Sequence, residues 1–284
     1  MSRPVPRSGL PALPPGYGWV AAGDALAAVD LDAGEALRSA GLLEPVRVAE
    51  WLAAAHGHGG RAPIAVVPLP GGGGAVALRG LHRGGWLGPL LGRNVLDVGR
   101  PFRELAVTAR LRVAGAPVPR PLFALAWRGG LAWHTAVGTA FEPEAVDAAT
   151  FLAGRPSHAA RIHALTAAGR AVRRFHDSGG SHPDLHVGNL LVRAWDPPEV
   201  LVVDLDGARI AGLVGPALRM AQLMRLYRSL RKRGLLEAAG GDRGSAAFFR
   251  AYVAGDRTLR RSLLARLPAE RRRVARHAWL YRRA

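Results

Sequence analysis

Apolar residues recur along this chain in two rhythms, and the places where the rhythm changes predict its elements. The runs IAVVPL (64–69) and AVALR (75–79) are separated by PGGGG, which predicts two strands joined by a glycine turn. LFALAW (122–127) and LAWHTAV (131–137), separated by RGG, predict a second hairpin. Between the two pairs, Phe102, Leu105, Ala109 and Leu111 fall near helical spacing, with Pro101 suited to a first turn and Gly115 to the stop. The first 140 residues therefore read as a small antiparallel sheet carrying one helix.

Ahead of that sheet, residues 1 to about 20 are rich in proline and are expected to be loose, and Ala25 to Ala55 shows helix-compatible spacing around Leu42, Val46 and Leu52. Beyond it, Ile162, Leu165, Gly169, Val172 and Phe175 mark one face of a helix over 158–176 that stops at Gly179 and Gly180. NLLV and VLVVD, separated by WDPPE, predict a short hairpin, and the chain past Gly215 is helical in pattern and strongly basic. The organisation expected is an N-terminal extension over 1–55, a smaller lobe over 56–140 and a larger, mainly helical lobe over 141–284, an α+β class.

The chemistry-bearing signal lies at the joint between the long helix and the hairpin. SHPDLHVGNLLV is followed, fifteen residues past Asn189, by an apolar strand closing on an aspartate in VLVVDLDG. This is the spacing HxDLxxxN, then strand, then acidic turn, by which protein-kinase-like folds place a base and their metal ligands. Phosphoryl transfer asks mainly for positioning and charge neutralisation, so one carboxylate must face the attacking hydroxyl while other oxygens hold Mg²⁺ on the phosphates of ATP. Asp184 is the expected base, Asn189 and Asp204 the expected metal ligands, and His186 a donor to the transferred phosphate; Asp206 is the weaker acidic candidate. His182 is expected to pack the loop. Each residue alone has an ordinary structural explanation, as a turn former or a hydrogen-bonded histidine; the combination is what points to catalysis.

A bilobal kinase-like fold also needs a cation on its third strand and a helix glutamate to orient it. No lysine precedes the catalytic loop, and Lys232 is the single lysine of the chain, so Arg79 at the end of AVALR is the expected substitute, with Glu104 as its partner. Gly57, Gly59 and Gly60 are candidates for a loop that closes over phosphates with its backbone N–H groups. Residues 136–139, after the second hairpin, are where adenine is expected.

Composition narrows the partners. With no cysteine, disulfides and thiolate metal sites are excluded, which leaves a hard, oxygen-seeking ion such as Mg²⁺ as the metal to expect. The proline-broken start and the want of a long uncharged apolar run predict a cytoplasmic protein. The net charge of +18 draws the chain to polyanions, among which composition does not choose. Without aromatic platforms interleaved among the basic residues, nucleic acid is the weakest of these.

Beyond these motifs, LRGLHRGGWLGPLLGR, FRELAVTARLRVAGAPVPRPLFA, RRFHDSGGSHPDLHVGNLLV and VVDLDGARI together resemble the lipopolysaccharide kinase family, which includes 3-deoxy-D-manno-octulosonic acid (Kdo) kinase and heptose kinases, over roughly residues 56–233. The resemblance implies an arginine in place of the third-strand lysine, phosphorylation of a Kdo hydroxyl on lipid A from ATP, and peripheral attachment at the cytoplasmic face of the inner membrane. It also gives the charge a purpose, with Arg83, Arg93 and the basic cluster over 219–233 attracting an acidic substrate in an anionic leaflet. HPDLHVGN is closer to the loop of aminoglycoside and choline phosphotransferases, and DLD carries Leu where Phe is usual. A small-molecule phosphotransferase therefore stays open as an alternative, and the missing lysine keeps open a non-catalytic, membrane-associated pseudokinase.

Overall fold

The computed structural model describes residues 9–55, 64–81, 97–129, 132–193 and 196–281. Two compact units emerge, one of residues 1–110 with 119–143 and one of 111–118 with 144–284.

The first unit is built on a six-stranded antiparallel sheet. Its strands are β1 (Tyr17–Ala22), β2 (Ala25–Asp30), β3 (Ile64–Pro68), β4 (Ala75–Gly80), β5 (Pro121–Gly129) and β6 (Ala132–Ala140), in the order β1-β2-β5-β6-β4-β3. The period of two sorts the side chains between its faces. Phe123 and Leu125 of β5, with Val76 and Leu78 of β4, enter one core together with Leu37, Leu42 and Val48 from helices α1 (Gly34–Ser39) and α2 (Pro45–Ala54). Ala124 and Ala126 enter the other, beneath Phe102 and Leu105 of α3 (Arg100–Val113). The sheet thus carries helices on both faces, not one helix alone.

The expected N-terminal extension needs correction, because Tyr17–Asp30 forms an edge hairpin of the sheet and α1 and α2 cover one of its faces. The strand β2, ALAAVD, is buried along nearly its whole length and pairs with β5 from Leu26↔Ala126 to Val29↔Phe123. Its end is fixed by Asp30, whose carboxylate accepts from Arg120 Nε at 2.6 Å and Nη2 at 2.7 Å, a two-pronged ion pair.

The second unit is mainly helical. After β7 (Ala145–Asp147) come α4 (Ala148–Ala153) and α5 (His158–Asp177), then β8 (Gly180–Ser181), β9 (Leu190–Arg193), β10 (Glu199–Val202) and β11 (Arg209–Ile210), then α6 (Pro216–Lys232), α7 (Gly241–Val253) and α8 (Arg257–Tyr281). The order β10-β9-β7 makes one small sheet and β11-β8 another. Ser157 starts α5 by accepting from Ala160 N, and Asp147 starts α4 by accepting from Ala149 N and Thr150 N. Gly169 lets α5 and α7 touch: a Cβ there would stand 2.4 Å from Phe248 O and 3.0 Å from Ala251 Cβ. Among the described residues no helix is long and apolar enough to cross a membrane.

Candidate active site

In the first unit, strand alternation decides where the expected cation points. Val76 and Leu78 face the core under α1 and α2, so Arg79 leaves the sheet on the face that α3 covers. Glu104 of α3 meets it there in an ion pair, Arg79 Nη2 to Glu104 Oε1, with the arginine 19% and the glutamate 8% exposed. Cation and carboxylate are thus paired as the sequence leads one to expect, with a guanidinium in place of an ammonium. Arg79 pairs in register with Val137, inside the 136–139 stretch of β6, where Gly138 is obligatory because a Cβ would lie 2.2 Å from Phe123 Cε1.

In the second unit, the segment from His182 to Asn189 is tied at both ends. Asn189 Nδ2 donates to Asp184 O at 3.1 Å, which leaves its Oδ1 as the atom able to face a cation. Leu190 pairs with Val202, and Val203 N donates to Asn189 O at 3.0 Å, so the hairpin returns the chain beside Asn189 just before Asp204. Asp204 itself holds φ at +60°, a conformation uncommon for a side chain larger than glycine. The hairpin expected from NLLV and VLVVD is therefore what brings residues 189 and 204 together.

His182 couples the two halves of this arrangement. Its Nδ1 accepts from Asp184 N at 3.1 Å, so its Nε2 carries the hydrogen that is donated to Val203 O at 3.2 Å. Burial pushes the imidazole below its ordinary pKa and so favours the neutral ring, whose tautomer these two hydrogen bonds fix. Behind it, a buried polar chain runs into the helices. Gln222 Oε1 accepts from His182 N (3.1 Å) and from His176 Nε2 (3.2 Å), and Tyr252 O–H donates to His176 Nδ1 (2.7 Å). Burial lowers His176 to about 4 and raises Tyr252 to about 12, so both stay neutral and able to keep these roles.

Sequence reasoning did not find this support, although it had a signal. Gln222, Arg225 and Ser229 recur at three- and four-residue steps on α6 and run alongside the loop. Gln222 reaches His182, Arg225 Nη1 lies 3.7 Å from Asp184 Oδ1, and Ser229 Oγ accepts from Val187 N at 2.9 Å. His186 Nε2 lies 3.7 Å from Asp184 Oδ2, so the two oxygens of Asp184 have a guanidinium on one side and an imidazole on the other. Asp184 is 69% exposed, open to an incoming hydroxyl.

The basic cluster over 219–233 is less uniform than expected. Arg219 is buried, donating to Val214 O and to Asp177 Oδ1, each at 2.7 Å, and belongs to the scaffold; Arg231, Lys232 and Arg233 are exposed. Gly57, Gly59, Gly60, Arg83 and Arg93 lie outside the described residues.

The residues present fit a magnesium ion that shares its coordination with phosphates. Asp204 and Asn189 offer hard oxygen donors, while among the described residues no group of three or more His, Asp or Glu is placed to hold an ion unaided. Two such oxygens would suit an ion that takes the rest of its ligands from outside the protein.

Comparison with known proteins supplies the family. The signature of the lipopolysaccharide kinase (Kdo/WaaP) family matches residues 72–252. A 3-deoxy-D-manno-octulosonic acid kinase of Stenotrophomonas maltophilia (strain K279a) is 32% identical over 205 residues, covering 69% of this chain and 77% of the relative. The kinase of that name from Vibrio cholerae is 30% identical over 160 residues, covering 55% of this chain; the match spans 65% of the relative, just under two thirds of its length. The solved structure of WaaP in complex with acyl carrier protein superposes with a TM-score of 0.50 at 21% identity, over 80% of this chain and 91% of that one, which supports the kinase-like fold. The chain belongs to the lipopolysaccharide kinase (Kdo/WaaP) family.

Proposed function

We propose that this chain is an ATP-dependent kinase that phosphorylates a sugar hydroxyl of the lipopolysaccharide inner core, with Kdo on lipid A as acceptor. Kinship with a kinase family implies ATP as donor, and relatives named Kdo kinase support the choice of acceptor. The observation that carries the reading is the placing of Asp184 and Asn189 on one loop and of Asp204 just past the strand hydrogen-bonded beside it, braced by His182.

In this reading Asp184 accepts the proton of the acceptor hydroxyl as its oxygen bonds to the γ-phosphorus, while the bond from that phosphorus to the β,γ-bridging oxygen breaks and ADP departs. Asn189 and Asp204 hold magnesium, which when bound neutralises charge on the phosphates. Arg79, oriented by Glu104, binds phosphate oxygens in pairs. His186 donates to the transferred phosphoryl group. The enzyme works at the cytoplasmic face of the inner membrane, held peripherally by its net charge of +18 and by exposed cations such as Arg231, Lys232 and Arg233.

Incubating the protein with γ-labelled ATP, Mg²⁺ and Kdo-lipid A tests the proposal. Label should enter the Kdo residue. Transfer confined to aminoglycosides or choline would replace the acceptor, and no transfer to any alcohol would remove the kinase reading.

A further inference from the structure

From the path of α6 along the catalytic loop, we infer that Arg225 binds a carboxylate of the acceptor close to the reacting hydroxyl, and so sets the charge of the substrate. The inference rests on the kinase reading above and adds to it the residue that selects the acceptor.

Three side chains of α6 meet the loop in order, and their contacts differ in kind. Gln222 and Ser229 accept from main-chain N–H groups at His182 and Val187, which fixes the backbone at its two ends. Arg225, between them, makes no hydrogen bond to the loop's backbone among the described residues and faces the side chain of the base. Its Nη1 stands 3.7 Å from Asp184 Oδ1, with the arginine 43% and the aspartate 69% exposed.

That distance exceeds a hydrogen bond, and an ion pair so exposed contributes little to stability. A guanidinium meant only to brace the loop would close on its partner at hydrogen-bond distance, as Arg219 does on Asp177 at 2.7 Å on the same helix.

Position then limits what Arg225 can meet. A hydroxyl deprotonated by Asp184 must come within about 3 Å of its carboxylate. Substituents on the neighbouring carbons of the acceptor therefore pass within reach of a fork suited to two-oxygen anions. His186, 3.7 Å from Asp184 Oδ2, flanks the base on the opposite side, and among the described residues Asp184 is the acidic side chain that pairs with Arg225. A cationic amino sugar would meet repulsion on entry, whereas a sugar acid would be oriented by the fork.

The test compares Kdo-lipid A with the same acceptor after its Kdo carboxylate has been converted to an amide, using wild type, Arg225→Gln and Arg225→Lys. Wild type should favour the acid by about 10- to 100-fold in kcat/KM, mostly through KM, the size expected for charge-assisted hydrogen bonds. Arg225→Gln should erase that preference, and Arg225→Lys, which keeps the charge without the fork, should retain part of it. Equal losses on both acceptors, or an undiminished preference in Arg225→Gln, would overturn the inference while leaving the kinase reading intact. Should Arg225→Gln melt well below wild type, the comparison rests on Arg225→Lys, where a preference equal to wild type counts against the fork. Failure of wild type on both acceptors would remove the kinase reading and this inference with it.

Discussion

Arg79 carries the sharpest consequence at the scale of single residues. A lysine at this position would offer one point charge, whereas the guanidinium that pairs with Glu104 is a planar fork whose geometry matches phosphate oxygens. Arg79→Lys keeps the charge yet loses that fork, so KM for ATP should rise about tenfold, and Arg79→Met should cost roughly 100-fold in kcat/KM, in line with one or two charge-assisted hydrogen bonds. Steady-state kinetics with varied ATP checks both; a lysine variant indistinguishable from wild type would make the arginine incidental. This pair was legible in the sequence because two short patterns, a strand ending in Arg and a helix with Glu on its buried face, needed only the strand period to meet. Arg225 was not legible in the same way. It sat within a run of arginines, and only the path of α6 past the loop separates it from the buried Arg219 and the exposed Arg231.

Elements explain why the loop holds its shape. His176 of α5, Gln222 of α6 and Tyr252 of α7 form a buried polar chain ending on His182, so three helices set the position of one loop. Such a chain is stabilising only while every member is satisfied. His176 is lowered to about 4 from an ordinary 6.5 by burial, aided by the nearby Arg219 and Arg173 and opposed by Gln222 and Asp177. The folded state therefore binds this proton less readily than the unfolded chain does. Its contribution is fully present above pH 6.5 and is lost as pH falls toward 4, a change of about 3 kcal/mol. Urea denaturation across that window should show the loss in wild type and a shallower slope in His176→Gln; equal slopes would mean the imidazole is not the titrating group. Patterning did reveal the long helix and the hairpin after it, because their apolar periods are strong. It missed the Tyr17–Asp30 hairpin, where ALAAVD, alanine-rich and buried on both faces, shows neither alternation nor β-branched enrichment.

At the scale of the whole molecule, a net charge of +18 makes attraction to an anionic surface strongly dependent on salt. Co-sedimentation with phosphatidylglycerol-containing vesicles should be strong at low salt and fall as salt rises from 0.05 toward about 0.5 M. Reversing Arg231, Lys232 and Arg233 to glutamate should weaken it further, and binding indifferent to both changes would argue against electrostatic attachment. In the proposed mechanism, transfer depends on one carboxylate, that of Asp184. The most direct test is single-turnover transfer from γ-labelled ATP to Kdo-lipid A by Asp184→Asn, compared with wild type at saturating nucleotide. Removing the base while keeping the side chain's shape should slow transfer by about 10²- to 10⁴-fold with nucleotide binding retained; transfer at the wild-type rate would contradict the account.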